Sequence, residues 1–212
     1  MWAFPVVAAA GYLSVSVPSG LIMGRQTRGI DIRDFGSGKT GFTNALRSLG
    51  WKGALPVFVA DLAKGALPVV LARLISDEPY VQTVAGLAAV VGHDWPLFAG
   101  FRGGRGVAAA FGALLAMAPP VALVLMPTGL AIAIVSRYMS LMSISGGVLT
   151  AAVLVALAVA GLEPWAYAVY GALAGGLIVV LHRENIRRLL AGTEPKIGRG
   201  GGRRVQQAGR AS

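Results

Sequence analysis

Apolar residues run along this chain in long, nearly uninterrupted stretches separated by short polar breaks. This is neither the alternation of a half-buried strand nor the one-sided stripe of a surface helix. Stretches of this kind read as membrane-crossing helices, which need about 20 apolar residues to span the hydrocarbon layer. The pattern predicts spans over about residues 4–23, 54–75 and 81–95. The run 107–135 is too long for one ordinary helix, and Pro119-Pro120 interrupts it, so two shorter spans turning at the prolines fit better. Further spans are expected over about 147–161 and 165–181. The expected fold class is all-α integral membrane, with seven transmembrane helices in one domain over residues 1–197 and a disordered basic tail over 198–212. No basic residue precedes the first run, and Ala8-Ala9-Ala10 comes too early to end a cleaved leader, so that run is expected to stay as a membrane helix.

Composition supports the membrane reading. Of 212 residues, 55% are apolar and 13% charged, about half the roughly 25% usual in soluble domains. The mean hydropathy of +0.68 excludes a disordered chain. The absence of cysteine excludes disulfides and thiolate metal sites. A net charge of +10 suits a nucleic-acid binder, but such charge is not usually set among long apolar runs, and no nucleic-acid partner is expected.

Where the charge falls tests the span count. With seven spans and an outside N-terminus, 17 of the 19 Lys and Arg lie in the first, third and fifth loops and the C-terminal region. The opposite loops hold Asp77, Glu78 and Glu163 and no basic residue. Reading 107–135 as one span would place Arg137 and the C-terminal basic residues outside. The excess of Lys and Arg on cytoplasmic loops therefore favours seven spans, a cytoplasmic C-terminus and Gly-rich loops on the cytoplasmic face. Arg73, near the outer end of its span, is expected to snorkel.

Some polar groups sit where orientation alone does not require them. Asp61 and Lys64 lie mid-span, one helical turn apart; ionisable groups there are costly and mark function, or else form a mutually neutralised pair. The first inside loop holds Gly36, Ser37, Gly38, Lys39, Thr40, Thr43, Asn44 and Arg47. Small residues let backbone N–H groups approach an anion, while hydroxyls, amides and basic groups add donors, so this loop has the makings of a phosphate cradle. It is not a nucleotide P-loop, because that pattern needs glycine five residues before Gly38, where Arg33 stands. The second inside loop, residues 92–107, sets Arg102 and Arg105 around Gly103-Gly104 and Gly106 just before a helix. His93 there reads first as a brace for the glycines. After the last span, His182 and Asn185 share a helical face with Leu189. Arg137, Ser140 and Ser143 add to the same membrane face, and Gly171-x-x-x-Gly175 reads as a helix-packing pattern. Two histidines without a carboxylate cluster make a metal site an unlikely feature, and no metal or cofactor is expected.

Loops of this kind on one face suit a small doubly charged anion beside the lipid phase, and the apolar body suits an acyl chain. That pairing suggests an enzyme joining a soluble phosphate compound to a lipid chain. A different class, a membrane transporter of an anionic phosphorylated metabolite, would place polar groups along the spans, and few are there.

The motifs resemble those of the bacterial membrane glycerol-3-phosphate acyltransferase family that uses acyl phosphate as donor. The resemblance rests on Gly36-Ser-Gly-x-x-Gly-x-Thr-Asn44 with Arg47, on Gly92-His93, Pro96 and Gly103-Gly-x-Gly-Val107, and on His182-x-x-Asn185-Ile186 with Arg188-Leu189 and Gly192-x-Glu194. Asp61 with Lys64-Gly65, and Arg137 with Ser140 and Ser143, also match. The resemblance implies transfer of an acyl group from acyl phosphate to glycerol 3-phosphate, giving lysophosphatidic acid and inorganic phosphate in a bacterial plasma membrane, with the site on the cytoplasmic side. It implies no need for coenzyme A, acyl carrier protein or metal, and no protein base, substrate phosphate helping to deprotonate the hydroxyl, although Asp61 stays open as a base; a monomer is expected. Ser37, His182 and Asn185 become the catalytic candidates. Gly36, Gly38, Lys39, Thr43, Asn44, Arg47, Lys64, Arg102, Gly103, Gly104, Arg105, Gly106, Ser143 and Arg188 become the substrate-binding candidates. The chain departs from the family pattern at Lys39, Phe42, Arg102 and Arg105, where Asn, Ala, Lys and Lys are common. Arg for Lys keeps the charge but changes a point into a fork, and Phe42 is expected to narrow the pocket.

Overall fold

The structure, a computed structural model, describes residues 2–199 and 202. Its regular elements are all helical: α1 Ala3–Val15, α2 Ser19–Arg28, α3 Phe42–Leu49, α4 Trp51–Ile75, α5 Pro79–Asp94, α6 Val107–Met117, α7 Pro119–Ser136, α8 Met139–Val159, α9 Trp165–Leu181 and α10 Arg183–Leu190. Two 3-10 turns, Ile32–Asp34 and Leu97–Ala99, shape the loops.

Four helical stretches are long and apolar enough to cross a membrane, namely α1 with α2, α4, α7 and α8. A fifth is reached if α9 and α10, bent by 58°, count as one. The seven expected spans are thus not all met by length. The 16 residues of α5 and 11 of α6 reach only about 24 and 16 Å at 1.5 Å per residue, short of the ~30 Å hydrocarbon layer. Both short helices are walled in by others. α6 packs on α4, α5 and α7, α5 packs on α1, α4 and α9, and α8 packs on α9. The expected break at Pro119-Pro120 stands: α6 ends at Met117 and α7 begins at Pro119, where a missing N–H costs no intrahelical bond.

Small residues set the closest approaches. A Cβ on Gly65 would lie 1.9 Å from the Ala109 carbonyl oxygen, and one on Gly112 would lie 2.0 Å from that of Leu62. α4 and α6 therefore meet backbone to backbone. Gly175 packs in the same way on Gly147 of α8, and Gly171 packs on Leu154, as the small-residue pattern suggested. Tyr170 seals the centre, donating to the Ala110 carbonyl at 2.7 Å. Large side chains such as Leu123, Val124, Leu130, Ile134 and Val135 remain exposed along α7, as a lipid-facing surface requires.

Several local expectations change. The first span is broken at Pro18, and the Lys64 ammonium donates there to the Val17 carbonyl and the Ser19 hydroxyl. Lys64 thus serves a carbonyl that the helix break releases, and Asp61 and Lys64 do not form the neutralised pair. Arg73 does not snorkel; its guanidinium reaches Gln82 at 3.3 Å, the Met117 carbonyl at 3.2 Å and the Tyr167 hydroxyl at 3.5 Å. The carbonyl at the end of α6 gives it a better partner than the interface. The polar stretch 136–145 is mostly the first turns of α8, so Ser140 and Ser143 sit on a helix. Of the tail expected to be disordered, residues 200–201 and 203–212 lie outside the described residues.

Candidate active site

The inside loops interlock. Asp31 accepts from the Arg33 backbone N–H and guanidinium, and Arg33 also donates to the Ala99 carbonyl at 3.0 Å, tying the first loop to the second. The Thr40 N–H donates to the Gly103 carbonyl at 3.4 Å. Arg47 reaches the Pro195 carbonyl at 3.4 Å, and the Ile197 N–H donates to the Arg137 carbonyl at 2.8 Å. The segment after α10 therefore crosses over the ends of α3 and α7.

Within the first loop, Asn44 acts as an internal clamp. Its amide donates to the Ile32 and Lys39 carbonyls at 2.8 and 2.7 Å, and its oxygen accepts from the Ser37 N–H at 3.0 Å. Gly36 and Gly38, with φ of 52° and 69°, make the turns that a side chain would strain. The Gly38 N–H is held by the Phe35 carbonyl, and the Gly103 and Gly104 N–H groups by the Asp94 and His93 carbonyls. These amides shape the loops, so the backbone cradle expected there is largely engaged, and side chains carry the free donors. The first turn of α3, residues 41–44, does line the cavity.

Two chambers result. The larger, about 570 Å³, has a polar end formed by Ser37, Lys39, Asp61, His93, Arg105 and His182. Its remainder is apolar, running past Phe58, Leu130 and Met142 to Phe111, Leu114 and Tyr170. The smaller, about 30 Å³, is lined almost wholly by polar groups: Ser37, Thr43, Arg47, Arg105, Ser140, Ser143, His182, Asn185 and Glu194, with Met139. Ser37, Thr43, Arg105, Ser143 and His182 belong to both. Among the described residues, Arg105 Nε and Asn185 Oδ1 are buried without a partner around the small chamber. Buried polar atoms left unpaired are costly and point to an absent partner.

The site is electropositive and under-compensated. Burial lowers Lys39, helped by the neighbouring Arg105 charge. Burial likewise lowers Arg47, and lowers Arg105 to about 10 with the Arg188 charge adding to it. Arg105, at about 10, stays cationic at neutral pH, and a bound anion would relieve the cost of burying these basic groups. Glu194 is the local counterweight. Burial raises its carboxyl, but the bonds from Asn185 at 2.6 Å and Arg188 at 2.7 Å help to hold it below the ordinary carboxylate value. Burial and the Arg105 charge bring His182 down to about 4. Its Nδ1 lies 2.8 Å from the Ile178 carbonyl, which can only accept, so Nδ1 carries the proton and Nε2 of the neutral ring is an acceptor.

The structure thus gathers Ser37, Lys39, Thr43, Asn44, Arg47, Arg105, Ser143, His182 and Asn185 at the chambers. Gly36, Gly38, Gly103, Gly104 and Gly106 stand behind them as loop formers, and Arg188 acts through Glu194. Lys64 and the exposed Arg102 line neither chamber. Reading the sequence missed Glu194 as a site residue, although it closes the third motif. Phe42, expected to narrow the pocket, packs its ring 5.7 Å from Trp51 and 5.4 Å from Phe58 and forms one wall of the large chamber. No group of three or more His, Cys, Asp or Glu suited to a metal occurs among the described residues.

Comparison with known proteins agrees with this architecture. Residues 5–192 match the family model described as glycerol-3-phosphate acyltransferase. A glycerol-3-phosphate acyltransferase of Parasynechococcus marenigrum is 45% identical over 193 residues, covering 91% of this chain and 89% of the relative. One of Rubrobacter xylanophilus is 42% identical over 193 residues, covering 91% and 94%. Two crystal structures of PlsY, an integral membrane glycerol 3-phosphate acyltransferase, share the fold. The glycerol 3-phosphate form gives a TM-score of 0.84 at 38% identity, covering 92% of this chain and 96% of that one. The lysophosphatidic acid form gives 0.81 at 36% identity, covering 91% and 94%. The fold is that of a multi-pass integral membrane protein, and the chain belongs to the glycerol-3-phosphate acyltransferase family.

Proposed function

We propose that this protein transfers an acyl group from acyl phosphate to glycerol 3-phosphate, releasing lysophosphatidic acid and inorganic phosphate. The observation that carries the reading is Arg105, half-buried at the junction of both chambers with its Nε buried and unpaired. The small chamber holds the phosphate of glycerol 3-phosphate through Arg47, Arg105, Ser143 and Asn185. The large chamber holds the acyl chain, with the donor phosphate at its polar end beside Lys39 and Arg105. The acceptor hydroxyl then meets the acyl carbonyl between Ser37 and His182, which line both chambers. The hydroxyl oxygen bonds to the acyl carbon and the acyl–phosphate bond breaks, its electron pair going to phosphate. The hydroxyl proton ends on the released phosphate, and the fixed cations stabilise the charge that moves there. Glu194, the carboxylate of the small chamber, is held by Asn185 and Arg188 and is not free to act as a base.

The topology belongs to the same proposal: seven passes, with the N-terminus outside and the site at the cytoplasmic face of the bacterial plasma membrane. The passes are α1 with α2, α4, α5, α6, α7, α8 and α9. The contacts among residues 33, 40, 99, 103, 137 and 197 support it, because they bring alternate loops to one face. We take the working unit to be a monomer, since both chambers are lined by one chain. Transport of a phosphorylated metabolite is less well supported, as polar lining gathers at one end and Leu114 and Tyr170 close the other.

Purified protein given acyl phosphate and glycerol 3-phosphate in the presence of a chelator is expected to release phosphate and form lysophosphatidic acid. Strict dependence on acyl-CoA, or on a divalent metal, would overturn the proposal.

A further inference from the structure

One buried pair at the polar end of the large chamber has no part in the chemistry above. Asp61, on α4, is 2% exposed, and its Oδ2 is buried without a partner among the described residues. Its Oδ1 lies 3.7 Å from Nδ1 of His93, itself 8% exposed in the last turn of α5. Lys64, the cation one turn along α4, is committed to the Val17 carbonyl and Ser19, so the imidazole is the partner left to this carboxylate. A buried carboxylate is costly unless a cation or donor faces it. Beyond Asp61, the ring points at the glycine loops. A Cβ on Gly104 would lie 2.0 Å from His93 Nε2, and one on Gly41 would lie 3.9 Å from it. Nε2 is therefore set between the residue that precedes Arg105 and the first turn of α3. A brace for glycines does not need a carboxylate behind it; a ring whose orientation matters does.

We propose that Asp61 orients His93 so that its Nε2–H binds the donor phosphate at the polar end of the large chamber. This rests on the reading that the donor is an acyl phosphate held there. His93 is then a catalytic residue that contacts the donor, and Asp61 a positioning residue behind it. Nδ1 faces the Asp61 carboxylate at 3.7 Å, and Nε2–H donates to a phosphate oxygen. Nε2 keeps its proton throughout. As the acyl–phosphate bond breaks, the electron pair moves onto an oxygen that Nε2–H already faces, and the hydroxyl proton remains the one the released phosphate carries away. The contact strengthens as charge develops, which is the condition for accelerating the step.

The test uses the full chain in detergent, with His93→Ala, His93→Gln and Asp61→Asn. For His93→Ala, kcat/KM for acyl phosphate is expected to fall about 100-fold. The KM for glycerol 3-phosphate should stay within about twofold, because the acceptor chamber lies on the other side of Arg105. Added imidazole should restore about tenfold of the lost rate by filling the vacated space. Asp61→Asn should lose about tenfold, and His93→Gln, which keeps packing volume and a donor, should fall less than His93→Ala. Loss of packing alone would displace Arg105, raise both KM values together and leave imidazole without effect, and that result overturns the proposal. Binding of inorganic phosphate, followed by calorimetry, is the second arm. Its Kd should rise about tenfold in His93→Ala, whatever donor the enzyme uses. An unchanged Kd overturns the pair, whereas a wild-type enzyme that ignores acyl phosphate overturns only the reading of the donor.

Discussion

The two chambers differ in what holds them open. The large one is bounded by rigid helix–helix packing, with Tyr170 and Leu114 at its floor and the Phe42, Trp51 and Phe58 rings along one wall. Its shape follows from apolar burial and from glycines that let α4 and α6 touch. The small one is bounded by charge. Arg47, Arg105 and the Glu194 clasp come from three separated segments, and their buried polar atoms are left incompletely paired. An apolar chamber is stable empty, whereas a cluster of buried like charges is not, unless an anion enters it. The difference supports the proposed division: a chain in the first chamber and a phosphate in the second, with Arg105 shared.

The sharpest way to break this division is at the shared residue. Arg105→Ala is expected to reduce kcat/KM for both substrates at least about 1000-fold, since it removes a donor from both phosphates at once. A loss confined to one substrate in steady-state kinetics would show that Arg105 serves one chamber only. Glu194→Gln comes next. It frees Arg188 and Asn185 from their 2.7 and 2.6 Å bonds, and a fall of about 10- to 100-fold in kcat/KM for glycerol 3-phosphate is expected. Full activity would remove the clasp from the account.

Acid should act on the small chamber first. His182 sits at about 4 against an ordinary 6.5, and Glu194 lies below its ordinary 4.5. For both groups the unfolded chain binds more protons than the folded one. Their contribution to stability is therefore full above the ordinary values. It falls as pH drops from about 6.5 toward 4 for His182, and through the carboxylate range for Glu194. Thermal unfolding measured across this window should show a declining midpoint, and in His182→Asn the portion of that decline above pH 5 should shrink. An unaltered profile would contradict the assignment. The smallest effect is at the wall. Phe42→Ala should change the preference among acyl chains by about 3- to 10-fold, on the order of one or two methylenes of packing, while the KM for glycerol 3-phosphate holds. No change in chain preference would show that the aromatic wall does not face the chain.

Much of this was legible before the structure. The break at Pro119-Pro120 and the bounds of α9 follow from apolar runs and turn residues. The three motifs brought Ser37, Arg47, Arg105, His182 and Asn185 forward because flexible and basic residues in membrane-boundary loops have few other uses. What the sequence hides is who partners whom. The glycine amides read as free donors, yet loop closure engages those of Gly103 and Gly104 with the end of α5. Lys64 read as half of a pair with Asp61, but a helix break 45 residues away in sequence gives it better acceptors. Helix α3 hides within the first inside loop because only eight residues separate its glycine ends. Arg102 and Arg105 look equivalent on paper, and only the turn between them sends one outward and the other into the site.

The division of labour is tested most directly by the two-substrate kinetics of Arg47→Ala beside Lys39→Met. Arg47 lines only the small chamber and Lys39 only the large one. Arg47→Ala is predicted to raise the KM for glycerol 3-phosphate at least about tenfold, with that for acyl phosphate within about twofold, and Lys39→Met to do the reverse. If both variants raise both KM values in parallel, the chambers form a single phosphate site and the account is wrong.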